Sequence, residues 1–427
     1  MTESHWPTAA AVNDDTTVIR QSPFDRGEPG FPMYDQAFAD DPHGACEMLR
    51  DKYGSLAPVE LAPGVPATLV LSYRTAVRIL HDPDRFPADP RIWQRSLPAG
   101  HPLLPMLEWR PNALRNSGLA HARYGEANRD AIDGADKHAM HRAIERIAID
   151  LINGFCTGVE GEAMVRVDLL GQYIYPLVYQ VLGHLLGFET DTLQKVGEGM
   201  AAIFDAAGDA DEGNRLLMGA LFEHIARKRE SPGQDITSRL IDHRNNLTDE
   251  EIAHQLVTLH GGGSEPQVHL ISNTLLLMLT DERFAGNLLD GSLSTLDALD
   301  EVLFTNPPLA NYCVTYPRQP VVIDDTWLPA HEPVVISMAA CNRDPEARAL
   351  SVRGNRSHLA FSAGEHHCPA RKEGLQIAQD AVDQLLDALP DMQLAVRTDE
   401  LVWRPGPFHR ALTELPVTFP KSPPLHV

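Results

Sequence analysis

The stretch HLAFSAGEHHCPAR, residues 358–371, decides how this chain is read. Phe361, Gly364, His366 and Cys368 stand in the spacing F-x-x-G-x-H-x-C, and a helical pattern over 370–388 follows at once. A cysteine just ahead of a helix N-terminus, flanked by histidines and Arg371, sits in positive potential that favours thiolate over thiol. Gly364 permits a tight loop whose amides turn toward sulfur, and Phe361 is placed to shield the sulfur from water.

A thiolate so placed is a good soft ligand for haem iron. A lone cysteine is more often a buried hydrophobe, but four spaced residues with a helix behind them outweigh that reading. A zinc site built from His358, His366, His367 and Cys368 is the other candidate. Adjacent His-His-Cys cannot readily turn three ligands onto one tetrahedron, and no second Cys/His cluster has zinc-like spacing.

Working outward, PVVIDDTWLPAHEPVVISMAACNRDP, 320–345, gives two β-rich runs around a turn. Near the start, 41–52 reads as a helix, APVELAPGVPATLVLS (57–72) as a hairpin and 73–81 as a helix. Residues 86–118 are rich in Pro, Arg and Trp with little periodicity, and a loop this long is usually a lid or binding segment. Helical patterns follow at 136–155, 166–187, 192–206, 213–229, 249–280 and 293–304. The fold class is mainly α with small β-sheets: one large domain over 31–427, β-rich near 55–72 and 314–338. No linker divides it, and residues 1–30 read as a disordered leader.

The 249–280 helix carries LHGGGSEPQVHLISN at its middle, 259–273. Each interior glycine costs roughly 1 kcal/mol against alanine, and Pro266 about 3. Pro266 also has no N–H for the carbonyl of Gly262. HGGGS resembles the oxyanion loop of esterases, but no serine stands in a G-x-S-x-G elbow.

Lys and Arg number 36 against 59 Asp and Glu, a formal charge of −23, which repels nucleic acid. No run of ~18 apolar residues marks a membrane span. Five scattered cysteines without a CxxC pair point to a reducing cytoplasm rather than a disulfide framework.

The 358–371 segment resembles the cysteine loop of cytochrome P450, the haem-thiolate monooxygenases, and in particular their soluble bacterial members. The resemblance extends along most of the chain. DGADKHAMHR, 133–142, resembles the family's helix C motif, which implies that His138 and Arg142 bind haem propionates, with His366 as a third contact. It implies haem b, Cys368 as axial ligand, and Gly262 and Gly263 bordering the oxygen site. Glu265 would then carry protons. Trp93, Gly262, Glu265, Pro266 and Ala310 are expected around the substrate, with 86–115 capping the pocket.

Three departures stand against this pattern. Helix K of the family carries Glu-x-x-Arg, and here Phe304 follows Glu301 where the arginine belongs. Thr315 occupies the place of a propionate-binding arginine, with Arg318 out of register by three. Pro266 replaces the oxygen-site threonine, and Ser264, two residues and so about 200° away on a regular helix, faces elsewhere.

The expected activity is oxygen-dependent tailoring of a bulky natural product such as a cyclic dipeptide or polyketide, by hydroxylation or aromatic C–C or C–N coupling. Electrons would come from a ferredoxin and its reductase or from a flavin protein, docking on the cysteine side where Arg371 and Lys372 lie. The rival reading is a catalytically silent haem-binding scaffold or regulatory protein.

Overall fold

The computed structural model describes residues 30–159, 161–204, 210–284, 293–345 and 355–426. The expected leader, 1–30, lies outside them except for Gly30. Fourteen α-helices are present among the described residues. They are α1 Gln36–Asp40, α2 Pro42–Tyr53, α3 Tyr73–Leu80, α4 Leu104–Leu107, α5 Gly118–Asp133, α6 Lys137–Asn153, α7 Tyr175–Leu186, α8 Thr190–Phe204, α9 Ala210–Glu230, α10 Ile236–Ile241, α11 Asp249–Thr280, α12 Thr295–Thr305, α13 Met338–Asn342 and α14 Arg371–Ala388.

Five strands form one mixed sheet in the order β1 (Phe31–Pro32), β2 (Leu56–Ala62), β3 (Val65–Val70), β8 (Val334–Ser337) and β5 (Asn311–Thr315). The β2–β3 hairpin is antiparallel, and β3 pairs in parallel with β8. β5 closes the edge with a bulge between Tyr312 and Thr315, where Cys313 takes a positive φ of 52°. Strands β6 (Val321–Ile323) and β7 (Thr326–Leu328) make a separate hairpin.

The 166–187 helix expected from sequence is not one helix. Its first part, Met164–Asp168, is strand β4, which pairs antiparallel with β10 (Pro416–Pro420). Gln393–Leu394 (β9) completes that sheet. A π-helical turn over Leu170–Ile174 then leads into α7. Alternating burial in Met164–Asp168 marks the strand, and the partner that selects it lies at the far end of the sequence.

The main core lies between α6, α7, α11, α12, α14 and the β4–β10 sheet, and centres on Ile144, Tyr173, Val178, Ile271 and Leu385. A second cluster packs one face of the five-stranded sheet against Trp93, Leu103 and Leu107 from the 86–118 stretch. That stretch is therefore anchored rather than free. No described helix is long and apolar enough to cross a membrane.

Helix α11 runs from a third cluster, shared with α5, α9 and α10, into the main core. A reciprocal capping box of Thr248 and Glu251 starts it, and Glu251 also takes Arg123 of α5 at 2.6 Å. Despite three glycines and Pro266, the helix is continuous to Thr280. Its flanks are buried at Ile252, Leu256, Val268, Ile271 and Leu275, and this packing offsets the weak local propensity.

Candidate functional site

The 358–371 loop is a knot of close backbone approaches. Gly364 has φ +69°, and a Cβ built on it would lie 1.9 Å from the carbonyl oxygen of Leu80 at the end of α3. Glycine is demanded there twice, by conformation and by contact. The backbone N–H of Cys368 donates to Phe361 O at 2.9 Å, closing the loop on itself. The Arg371 guanidinium lies 5.5 Å from the Phe361 ring centre.

The charge expectation at sulfur is overturned in one respect. Burial pushes the Cys368 thiol up, while the Ala370 N–H and Arg371 pull it down less strongly. A bound metal ion would favour the thiolate at this position.

Phe304, in place of the arginine of helix K, packs edge-on against His358 at 5.3 Å. His358 in turn meets Phe361 at 5.7 Å. Burial holds this imidazole neutral, with its pKa lowered to about 4. An aromatic chain from α12 to the cysteine loop thus stands where an ion pair was expected. Glu301 pairs instead with Arg283, at 2.6 Å.

His138 and Arg142 require a correction. Both are exposed on α6, because that helix buries its other face through Met140, Ala143, Ile144 and Ile147. The histidine brought to the loop is His121 of α5, whose ring lies 4.3 Å from that of His366. Its Nδ1 also bonds Ala113 O at 2.8 Å. The sequence signal was HARYG, 121–125, with Gly125 in the fourth position where His138 is followed by Arg142. Arg318 is no substitute cation either: it is exposed and donates to Asp84 O.

On α11, Gly262 is the one exposed position between Glu251 and Leu279, and a Cβ on it would meet no atom within 4 Å. Gly263 instead faces Leu182, at 3.2 Å from such a Cβ. Since Pro266 has no N–H, the Gly262 carbonyl lacks its helical donor. Ser264 is buried and turned back toward Gly261 O at 3.4 Å.

Glu265 is not a free acid. Its carboxylate accepts from Arg404 Nη2 at 2.7 Å and lies 3.1 Å from His269 Nε2, with the Tyr175 hydroxyl at 3.4 Å. Burial raises its pKa, but the His269 hydrogen bond and the Arg404 charge outweigh it and hold the group ionised. Trp93 is buried against Tyr316 at 5.5 Å, so it is a core residue and not a surface offered to substrate. Ala310 is buried beside His43, Asn306 and Arg410 around a small cavity.

These features fit a flat macrocycle held by one sulfur. Cys368 is half-buried, Gly262 has no atom within 4 Å of where its Cβ would be, and His366 Nε2 lies 3.3 Å from Glu365 Oε1. Among the described residues no three His, Cys, Asp or Glu side chains gather as a metal site. A single thiolate therefore suits an iron whose other ligands come with its own ring.

No family model matches the chain. It is 29% identical over 399 residues to the cytochrome P450 monooxygenase PikC of Streptomyces venezuelae, covering 90% of this chain and 92% of that one. It is 27% identical over 381 residues to the 2-hydroxy-5-methyl-1-naphthoate 7-hydroxylase of Streptomyces carzinostaticus, covering 84% and 91%. The structure of CYP154C4 from Streptomyces sp. W2061 matches with a TM-score of 0.81 at 26% identity, over 91% of this chain and 98% of the other. The chain is a cytochrome P450.

This P450 is a monooxygenase-type oxidoreductase of the haem-thiolate class, acting in oxidative tailoring. It takes a small-molecule substrate and draws electrons from a redox partner.

Proposed function

We propose that this P450 oxidises a bulky natural product, such as a polyketide or cyclic dipeptide, by hydroxylation or aromatic coupling. The carrying observation is Cys368, half-buried in a loop closed on itself ahead of α14, a helix tied to α11 by Gln267 Nε2, which donates to Gly374 O at 2.9 Å. The names of the naphthoate hydroxylase and of a 6-deoxyerythronolide B hydroxylase support the substrate class.

In this reading Cys368 would hold haem b by its sulfur, with α11 bordering the group. Bound through a thiolate, haem supplies the activation of dioxygen. The chain's own residues do the rest. Gly262 keeps α11 clear of the ring, and its unpaired carbonyl accepts a hydrogen bond from water or a substrate donor. Glu265, held ionised between Arg404 and His269, is the nearest acid to that carbonyl along the helix and would pass protons through water. Pro266 offers no hydroxyl to that path. His121 and His366 border the propionate edge.

Electrons would come from a ferredoxin with its reductase, or from a flavin protein, at the exposed Lys372 and His367 beside the loop. Exposed Lys137 at the start of α6 lies beside that surface, since it pairs with Glu373 of α14. Five free cysteines support a cytoplasmic setting.

The test is the spectrum of the reduced protein with carbon monoxide, followed by turnover under labelled dioxygen. A thiolate-type band in the wild type, lost in Cys368→Ser, is expected, as is product that carries label if the reaction is hydroxylation. A colourless wild type sinks the proposal. Substrate binding without any product sinks its catalytic half and favours a silent scaffold.

A further inference from the structure

Arg115 ends a 3₁₀ turn, Ala113–Arg115, that leads directly into α5 and is only 3% exposed. The turn is fixed from both sides: Asn112 Oδ1 accepts from Arg115 N at 2.9 Å, and His121 bonds Ala113 O. Arg115 Nη2 donates to Met106 O and to the Tyr312 hydroxyl, the latter at 2.7 Å. Its guanidinium carbon lies 5.7 Å from the Tyr312 ring centre. All of these partners are neutral. The acid nearest in sequence, Glu108, is taken by Arg110 at 2.7 Å. Among the described residues no carboxylate lies within ion-pair distance of Arg115.

An arginine stays charged at any ordinary pH, and a buried charge without a counter-ion costs several kcal/mol. Two further polar groups at the end of the edge strand β5 are also unsatisfied. The Thr315 and Tyr316 hydroxyls are buried without hydrogen-bond partners. Thr315 is the position where the family pattern expects an arginine. Cys313, beside them, lies in the electrostatic reach of both Arg115 and Cys368. The unpaired cation, the unfilled hydroxyls and the His121–His366 pair therefore belong to one neighbourhood around the cysteine loop.

We infer that Arg115 is the cationic anchor for a carboxylate of the bound cofactor, replacing from the loop before α5 the arginine that Thr315 does not supply. Haem carries two propionates and so brings the missing anion. The guanidinium takes one of them, in a charge-assisted bond of the strong kind. This assignment rests on the haem-thiolate reading above.

The experiment measures haem transfer from the purified holoenzyme to excess apomyoglobin, which needs no turnover. Arg115→Ala should release haem about tenfold faster than wild type or more, the effect of losing one charge-assisted hydrogen bond. Arg115→Lys, which keeps the charge, should fall between them. Protein reconstituted with haem dimethyl ester, whose propionates carry no charge, should show equal release from wild type and Arg115→Ala. His138→Ala and Arg142→Ala should match wild type throughout.

Wild-type release rates in Arg115→Ala overturn the inference. So does a difference that persists with the ester, since Arg115 would then act through packing alone. Unchanged haem release with weakened spectral binding of a carboxylate-bearing substrate also overturns it, by moving the anion to the substrate. Where Arg115→Ala does not fold, Arg115→Lys and Arg115→Met are compared on the two haems by the same criteria. A wild type that takes up no haem is a separate result, and it removes the family-level reading first.

Discussion

The cysteine loop is held by contacts that converge on it from α3, α5 and α12, whereas the middle of α11 keeps its shape against its own composition. Gly364 fits only because Leu80 O leaves no room for a side chain. Gly262 has the opposite environment, with no atom within 4 Å of where its Cβ would be. One glycine serves contact and the other serves clearance. The loop is fixed by the neighbours that fill it, and the helix stays continuous because its flanks are buried on either side of Gly262.

The largest effect expected in stability tests this directly. Pro266→Ala restores an N–H for the Gly262 carbonyl and removes an interior helix proline, so it should stabilise the folded protein by about 1–3 kcal/mol. Urea unfolding of the two proteins measures it. A gain means that the chain keeps a costly residue at its active face, where function is served before folding. A neutral or destabilising result would show instead that α11 is built around the proline, and the contrast between the two glycines would lose its energetic half.

A second prediction probes the loop side. Burial lowers the His358 pKa to about 4 from an ordinary 6.5, so the unfolded chain takes the proton first as pH falls. The stability this histidine lends by staying neutral is complete above about pH 6.5 and is lost on acidification toward 4. By pH 5 the loss is about 2 kcal/mol. His358→Phe keeps a ring between Phe304 and Phe361 but carries no proton. Its drop in unfolding free energy from pH 7 to pH 5 should therefore be smaller than that of wild type by about that amount. His254 and His260, similarly lowered to about 4, remain in both proteins and cancel. Parallel losses in the two proteins would place the acid sensitivity elsewhere.

The same contrast explains what could be read from the sequence. The cysteine loop was legible because its chemistry is local: sulfur, glycine, histidine and the helix behind them lie within a few residues. The long helix, 249–280, was legible from its periodicity, and flanking burial is what carries it unbroken through Gly261–Pro266. His121 escaped notice because α5, GLAHARYGEANRDAID, is small and polar with weak apolar periodicity, while His138 and Arg142 have the right spacing on a helix that turns them to solvent. Arg115 lies in a proline-rich stretch without period, and only the folded chain shows that it is buried. The strand Met164–Asp168 was read as helix because its partner is Pro416–Pro420, at the other end of the chain.

The smallest effect expected bears on how α12 is tied to the loop. Glu301 has kept an ion partner in Arg283, but that guanidinium is 52% exposed and also binds Asp281. Exposed pairs of this kind contribute roughly 0–1 kcal/mol, because solvent screens them and ordering two long side chains costs entropy. The Phe304–His358–Phe361 chain joins α12 to the loop without exposing charge to water. If that chain has taken over the linking role, Arg283→Ala should lower unfolding free energy by no more than about 1 kcal/mol. Haem content should be unchanged. A loss of several kcal/mol, or release of haem, would mean that Glu301 still anchors this region through its arginine. The aromatic chain would then be an addition to the ion pair and not its replacement.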